Sequence, residues 1–167
     1  MPFLYEFTDT CLKNGVKPII GVEIYFVDDA KKSIGAKNNS RYHFLLFAKN
    51  ETGYKNLVSL VSESWLENNY NEKRGLVDWN LLEKYHEGLI GSTARLFNQI
   101  SQTYIKNNIE SAEKIFLRYK EIFGKDFYVE IGKHGIDDEE ISNKGLIELA
   151  RKYDVKPIAT NDVVFIS

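Results

Sequence analysis

A chain of 167 residues with 43% hydrophobic and 28% charged side chains has the composition of an ordinary globular protein, and it is long enough for one hydrophobic core. Its 22 basic and 24 acidic residues give a formal charge of -2, which argues against a dedicated binder of nucleic acid or anionic lipid. The single cysteine, Cys11, excludes an internal disulfide and a cysteine-rich zinc module. No stretch is long and apolar enough for a membrane span, and the N-terminus lacks the basic start of a signal peptide, so we expect a cytoplasmic protein.

The first quarter of the chain predicts a helix, a strand and a loop. Apolar residues recur at helical spacing over residues 4–12, and Gly15 and Pro18 then predict the end of the helix. Residues 19–27 are apolar almost throughout, which is typical of a strand buried on both faces. Residues 30–41 are rich in Lys and Asn and predict a loop.

The remaining chain predicts further strands separated by helices and by polar connections. The expected strands are residues 42–48, 88–93, 126–131 and 156–161. The expected helices are residues 51–65, 79–85, 112–123 and a last one that begins at the carboxylates of residues 137–140, with a polar linker over 68–75. This alternation predicts an α/β fold with mainly parallel strand pairing, as an open sheet or a barrel.

Polar residues in or just after the strands are the candidates for chemistry, because parallel α/β folds bind ligands at the carboxyl ends of their strands. Glu23 lies inside the first predicted strand, His43 opens the second and Asp162 follows the last. Such side chains suit Zn²⁺, Mn²⁺ or Mg²⁺, which could activate water against a phosphate ester. The same residue types also fit a solvent-facing glutamate, a histidine bonded to backbone and a turn aspartate, and His86 and His134 are interpreted as loop residues.

Four ordered segments are more specific than any single residue. They are residues 15–23 (GVKPIIGVE), 42–57 (YHFLLFAKNETGYKNL), 87–90 (EGLI) and 159–163 (ATNDV). Together they resemble the PHP (polymerase and histidinol phosphatase) domain of bacterial DNA polymerase III alpha subunits over nearly the whole chain. The resemblance implies a distorted seven-stranded β/α barrel with metals at the strand ends, which hydrolyses phosphoesters and in some members is a 3′ to 5′ proofreading nuclease. In other members the metal cluster has decayed, and the domain helps to dock a separate exonuclease.

On the matching positions, the resemblance implies that Glu23, His43 and Asp162 are metal ligands. Two further positions depart from the family pattern. Arg95 stands where the family has the cysteine of Ser-Gly-Cys-Leu, and Val164 stands where it has the histidine of Asn-Asp-Val-His. The chain also starts after the family's His-x-His and Thr-Asp-His-Gly segments. We therefore expect a single partial PHP domain over residues 1–167, an incomplete barrel that lacks its first two strands and leaves a sheet edge unpaired.

Arg95 bears directly on metal binding. A guanidinium about 4 Å from a divalent cation would be repelled by roughly 8 kcal/mol at an effective dielectric constant near 20. We expect Arg95 to replace the metal by pairing with Glu23 or Asp162, so that the remaining ligands are vestigial. The alternative is that Arg95 is a surface residue after a strand.

The sequence favours a PHP-domain fragment of a replicative polymerase alpha subunit, without palm, fingers or thumb, that serves as a metal-free scaffold or exonuclease-docking region. Its expected partners are the remainder of the alpha subunit and a proofreading exonuclease, with little direct DNA binding and no cofactor. Two alternatives stay open. One is a metal-dependent phosphoesterase or proofreading nuclease that uses Zn, Mn or Mg, if the missing ligands are supplied upstream or by another chain. The other is a free-standing α/β binding module.

Overall fold

A computed structural model describes residues 2–33, 41–66, 70–71 and 74–161. The strands in this part of the chain are β1 (Gly21–Phe26), β2 (Tyr42–Ala48), β3 (Tyr70–Asn71), β4 (Arg74–Val77), β5 (Leu89–Thr93), β6 (Phe127–Ile131) and β7 (Lys156–Ala159). The helices are α1 (Pro2–Lys13), α2 (Ala30–Ser33), α3 (Glu51–Ser64), α4 (Trp79–Tyr85), α5 (Gln99–Ile105), α6 (Ile109–Phe123) and α7 (Asp137–Lys152). Short 3₁₀ turns cover Arg95–Phe97 and Gly124–Asp126.

The strands form one mixed sheet in the order β3-β4-β1-β2-β5-β6-β7. β4 pairs with β1, β5 with β6 and β6 with β7 in parallel, whereas β1–β2, β2–β5 and β3–β4 are antiparallel. The α/β class is confirmed, but the prediction of mainly parallel pairing is wrong. For β1 and β2, the physical reason is that the described residues between them form only the four-residue helix Ala30–Ser33, which is shorter than the crossover that parallel neighbours need. The incomplete seven-stranded barrel stays a prediction.

Side chains alternate between the two faces of β1 and β2. Ile24, Phe26 and Phe44 are buried, whereas Glu23 is exposed and His43 half-buried on the opposite face. The prediction that these strands are buried on both faces is therefore wrong. The apolar sequence of these strands suggested burial on both faces, but large apolar side chains on the second face, such as Tyr25 and Leu45, are only half-buried.

Helix α6 supplies the centre of the core. Tyr119 is 1% exposed and stacks on Phe44, with ring centroids 4.4 Å apart, and it lies beside Phe127 of β6. An added Cβ at Gly91 of β5 would meet the Phe123 ring at 2.7 Å, so this glycine lets α6 approach the sheet closely. The predicted helix and its end at Gly124, where φ is +57°, are confirmed.

Three predicted connections contain regular structure. The loop predicted over 30–41 begins with α2, because the Asp29 carboxylate accepts a hydrogen bond from the Lys32 backbone at 3.1 Å; residues 34–40 lie outside the described chain. β3 and the first two residues of β4 fall in the predicted linker, and α5 falls in the polar connection before α6. These helices and strands have too few residues for a hydrophobic period to be recognised in the sequence, so they were not predicted. The other predicted elements are confirmed, with ends shifted by a few residues.

Two glycines set the distance between α3 and the turn before β5. A Cβ added at Gly53 would lie 1.8 Å from the Gly88 carbonyl oxygen, and Gly88 itself has φ +72°. The Lys49 amide donates to the same carbonyl at 2.9 Å, and the Asn56 side chain donates to the Glu87 carbonyl at 2.8 Å. The two motif segments that contain these glycines, residues 42–57 and 87–90, are thus in direct backbone contact.

Gly53→Ala should lower the free energy of unfolding by about 1–3 kcal/mol, because the new methyl group must displace the turn at Gly88. Urea denaturation followed by far-UV circular dichroism measures this change. The matched control is Thr52→Ala, an exposed neighbour in α3, which should leave stability unchanged or slightly higher. Equal stability of the Gly53→Ala variant and the wild type would contradict the close approach.

Candidate functional site

Glu23 and His43 meet on the face of the sheet opposite the aromatic core. In the antiparallel register, Glu23 is opposite Leu45 and Tyr25 is opposite His43, so Glu23 and His43 are diagonal neighbours on one face. The Glu23 Oε1 atom lies 2.5 Å from His43 Nδ1. Their side chains are 52% and 31% exposed, so both remain accessible. The edge of the His43 ring lies against Tyr25, with centroids 5.1 Å apart.

The structure therefore brings together two of the three predicted metal ligands. Asp162 and Val164 lie outside the described residues, so their predicted roles stay predictions. Among the residues that the structure does describe, no group of three or more His, Cys, Asp or Glu side chains is arranged to hold a metal ion. The Glu23–His43 pair fits a metal in donor chemistry but supplies only part of a ligand set.

Glu130 is a buried carboxylate that sequence reasoning missed. It lies in β6, is 3% exposed and accepts hydrogen bonds from the hydroxyls of Ser92 and Thr160, each at 3.2 Å. Burial raises the pKa of Glu130 because a charged carboxylate loses its hydration there, while the two hydroxyl bonds and the charge of Arg95 act in the opposite direction. Glu23 adds a repulsive contribution to this rise. The register puts both carboxylates on one face, because Glu23 is opposite Leu45, Leu45 is opposite Ser92, and Ser92 is opposite Tyr128, two residues before Glu130. The signal that could have identified Glu130 is a carboxylate inside an apolar strand, as for Glu23.

Arg95 follows β5 and faces this group of charges. It is half-buried, and its backbone has φ +47°, a left-handed conformation uncommon for residues other than glycine. The Arg95 carbonyl accepts hydrogen bonds from the side chains of Asn98 and Ser101, which hold the turn. A Cβ added at Gly132, after β6, would lie 3.5 Å from Arg95 Cδ. The stem of Arg95 therefore crosses toward the end of β6.

The positive charge of Arg95 partly offsets the rise in the pKa of Glu130 that burial causes. The same charge opposes protonation of His134, whose pKa is nevertheless raised, chiefly by its hydrogen bond with Glu139. The expected pairing of Arg95 with Glu23 or Asp162 stays a prediction. At the carboxyl ends of β5, β6 and β7, the charge of Arg95 thus acts on one buried carboxylate, Glu130, and one imidazole, His134.

His134 connects three parts of this edge. Its Nδ1 lies 2.7 Å from Glu139 Oε1, its Nε2 lies 3.2 Å from Asn161 Oδ1, and its backbone amide donates to Glu139 Oε2 at 2.7 Å. The contact with Glu139, followed by that with Asn161, raises the pKa of His134, and the contact with His134 lowers the pKa of the Glu139 carboxyl. His134 does lie in a loop, as expected, but local sequence did not reveal these distant partners. Its bonds tie the end of β6 to the start of α7 and to the residues after β7.

Similarity to known proteins agrees with this geometry. The family model described as "PHP domain" matches residues 2–134, which include Glu23, His43, Arg95 and Glu130. The chain belongs to the PHP domain family. Within the described residues, no helix is long and apolar enough to cross a membrane.

Relatives named DNA polymerase III subunit alpha include the following three. The protein from Borreliella burgdorferi is 40% identical over 164 residues, which are 97% of this chain and 14% of the relative. The Aquifex aeolicus protein is 37% identical over 170 residues, covering 98% of this chain and 14% of the relative. The Thermus aquaticus protein is 37% identical over 161 residues, covering 94% of this chain and 13% of the relative. The chain thus spans about one seventh of the length of these relatives.

The electrostatic coupling between Arg95 and Glu130 can be measured with a double-mutant cycle. Arg95→Met should destabilise the protein near pH 8, because it leaves a buried carboxylate without its opposing charge. In a Glu130→Gln background the same change should cost about 1 kcal/mol less. Urea denaturation of the four proteins gives the coupling energy. An equal cost of Arg95→Met in both backgrounds would show that Arg95 does not act on Glu130.

The His134–Glu139 pair predicts a specific pH dependence. His134 has a folded pKa above its ordinary 6.5, so its contribution to stability is complete below about pH 6.5 and is lost as the pH rises through the folded pKa. Glu139 has a folded pKa below its ordinary 4.5, so its contribution is lost only as the pH falls through that lower value. Glu139→Gln should therefore destabilise the protein more at pH 5.5 than at pH 8.5 in urea denaturation.

The control for this measurement is Glu140→Gln, an exposed neighbour in the same first turn of α7. It should change stability equally at both pH values, apart from the general effect on the helix dipole. If Glu139→Gln behaves like this control, the His134 contact does not stabilise the folded protein.

Proposed function

We propose that this chain is the PHP region of a DNA polymerase III alpha-type subunit and that it acts as a scaffold without a metal. The single observation that carries the proposal is the position of Arg95, a permanent cation at the carboxyl ends of the strands whose charge acts on the buried Glu130. The relatives support the assignment to such a subunit, because they match 94–98% of this chain. The role in DNA replication follows from what those relatives are named.

Arg95 disfavours a metal for an electrostatic reason. Arg95 is half-buried after β5 and its charge acts on the buried Glu130, so a cation bound beside Glu130 would be repelled by a guanidinium that cannot lose its proton near neutral pH. If a metal did bind, Glu23 and His43 would be two of its ligands and Asp162 the third, and the metal would supply an activated water for phosphoester hydrolysis.

In the scaffold role, the expected partners are the rest of the alpha subunit and a proofreading exonuclease. The formal charge of -2 supports contact with protein rather than a direct grip on DNA. The same proposal places the chain in the cytoplasm with the replication machinery.

A metal-dependent phosphoesterase or proofreading nuclease is the second candidate. It is favoured by one observation, the approach of Glu23 Oε1 to His43 Nδ1 on an accessible face. Two ligand-type atoms already converge there, so further ligands from outside the described residues could complete a site.

Restoring the family's ligand types at two positions should create metal affinity. After dialysis against zinc and then buffer, the wild-type chain should retain little metal, whereas the Arg95→Cys/Val164→His variant should retain about one zinc per chain by mass spectrometry of the metal content. The variant removes the repelling charge and adds a thiolate and an imidazole. Lys125→Cys, at an exposed position elsewhere, is the matched control and should retain no more metal than the wild type.

The opposite pattern would favour the second candidate. Stoichiometric metal in the wild-type chain, lost in Glu23→Ala and His43→Ala, together with metal-dependent release of nucleotides from single-stranded DNA, would overturn the metal-free scaffold.

A further inference from the structure

Helix α1 has an apolar face that the described part of the chain leaves unburied. Five apolar residues recur at helical spacing within one half of its circumference: Leu4, Tyr5, Phe7, Cys11 and Leu12. Over residues 4–13 no residue is buried, and none of these side chains belongs to the core of the described chain. Tyr5 is 80% and Leu12 64% exposed. A helix of 12 residues is only marginally stable in water without packing, so this face requires a cover from elsewhere.

Helix α3 carries an exposed apolar stripe beside the one that it buries. Tyr54, Val58, Val61 and Trp65 follow the helical spacing i, i+4, i+7 and i+11. Tyr54, Val58 and Trp65 are 38%, 44% and 53% exposed. Residues 56–62, which lie along this stripe, contain no charged side chain. An exposed helix side that is apolar and uncharged is typical of a surface that another protein surface covers.

An apolar cleft joins the two helices. It has a volume of about 190 Å³, and Leu4 of α1 lines it together with Tyr54, Val58 and Val61 of α3. Val61 also lines a neighbouring cleft of about 270 Å³ that extends to Trp65. The apolar side of α1 and the stripe of α3 thus form one surface, the α1/α3 face, which consists of the apolar residues of the two helices named above.

The size of the α1/α3 face matches one side of a stable dimer. At roughly 150–250 Å² for a fully exposed aromatic side chain, and less for Leu or Val, the exposed fractions of Tyr5, Phe7, Leu12, Val58 and Trp65 amount to about 500 Å². Stable interfaces bury about 800 Å² on each partner, of which roughly 60% is apolar. Two-fold symmetry brings identical residues close together, and an apolar face meets its copy without like-charge repulsion.

We propose that two copies of this chain form a two-fold symmetric dimer through the α1/α3 face. Helix α1 of each copy packs beside α3 of its partner, so that four helices enclose an apolar centre. A second copy is the occupant because each chain carries both an exposed apolar helix and an apolar cleft beside it, and one symmetric contact covers both. The dimer goes beyond the proposed function and does not depend on it, because the site residues Glu23, His43 and Arg95 are not part of the face.

Sedimentation equilibrium of the whole chain tests the dimer, and the wild type should pass from monomer to dimer between about 1 and 200 µM. Leu12→Glu and Val58→Glu should each raise the dissociation constant at least about tenfold, because each places two charges in an apolar interface. Both side chains are exposed in the single chain, so these variants should keep wild-type stability in urea at concentrations where the wild type is monomeric. The matched control is Ile141→Glu in α7, where the side chain is 47% exposed, and it should leave the dissociation constant unchanged.

The single cysteine locates the interface. Cys11 lies on the α1 part of the face and is half-buried in the single chain. Its reaction with Ellman's reagent should slow several-fold as the wild-type concentration rises through the dissociation constant, and it should not change with concentration in Val58→Glu. A wild-type chain that stays monomeric would overturn the proposal and leave the rest of an alpha-type subunit as the occupant. A dimer that Leu12→Glu and Val58→Glu do not weaken, and that leaves the reaction of Cys11 unchanged, would also overturn it, because another surface would then form the dimer.

Discussion

The register of β1 against β2 is the constraint on which the rest of the structure depends. Because side chains alternate along a strand, a slip of one residue would exchange the two faces of the strand that slips. A slip of β1 would take Phe26 out of the aromatic core around Tyr119 and bring Glu23 into it, and a slip of β2 would do the same with Phe44 and His43. The same register that buries the aromatic rings therefore also exposes the polar pair. Core packing and site geometry are consequences of one pairing.

The buried carboxylate of Glu130 imposes a second constraint. A charged group with 3% exposure is tolerated only when hydrogen bonds and an opposing charge replace its hydration. Ser92 on β5 and Thr160 after β7 donate these bonds from strands on either side of β6. Arg95, whose left-handed backbone conformation is uncommon for residues other than glycine, supplies a positive charge that acts on Glu130. Strands β5, β6 and β7 are thus held at this edge by polar contacts as well as by the core.

Sequence reasoning predicted much of the fold because long helices and strands carry a clear period. The apolar stripe of α6 and the apolar run of β2 predicted that helix and that strand. The metal-ligating character of carboxylates and imidazoles identified Glu23 and His43 as candidate ligands. The sequence did not predict which strands pair in parallel and which antiparallel, because an apolar run has the same pattern in both kinds of sheet. The partners of His134, which was predicted only as a loop residue, were missed for a similar reason. Its significance depends on Asn161, a residue 27 positions away that only the fold brings close.

Charge conservation explains how a PHP site could exchange a metal for an arginine. A divalent cation with one thiolate ligand contributes a net charge of +1, and a single guanidinium in the thiolate's place also contributes +1. Val164 in place of a neutral histidine changes nothing in this balance. In the proposed metal-free role, a neighbouring carboxylate such as Glu130 would experience a similar total charge without any ion, although the guanidinium is directional and bonds only where its planar fork points. One substitution at position 95 would therefore preserve the electrostatic stability of the site while removing the open coordination position that hydrolysis needs, which is the physical difference between a nuclease and a scaffold built on the same sheet.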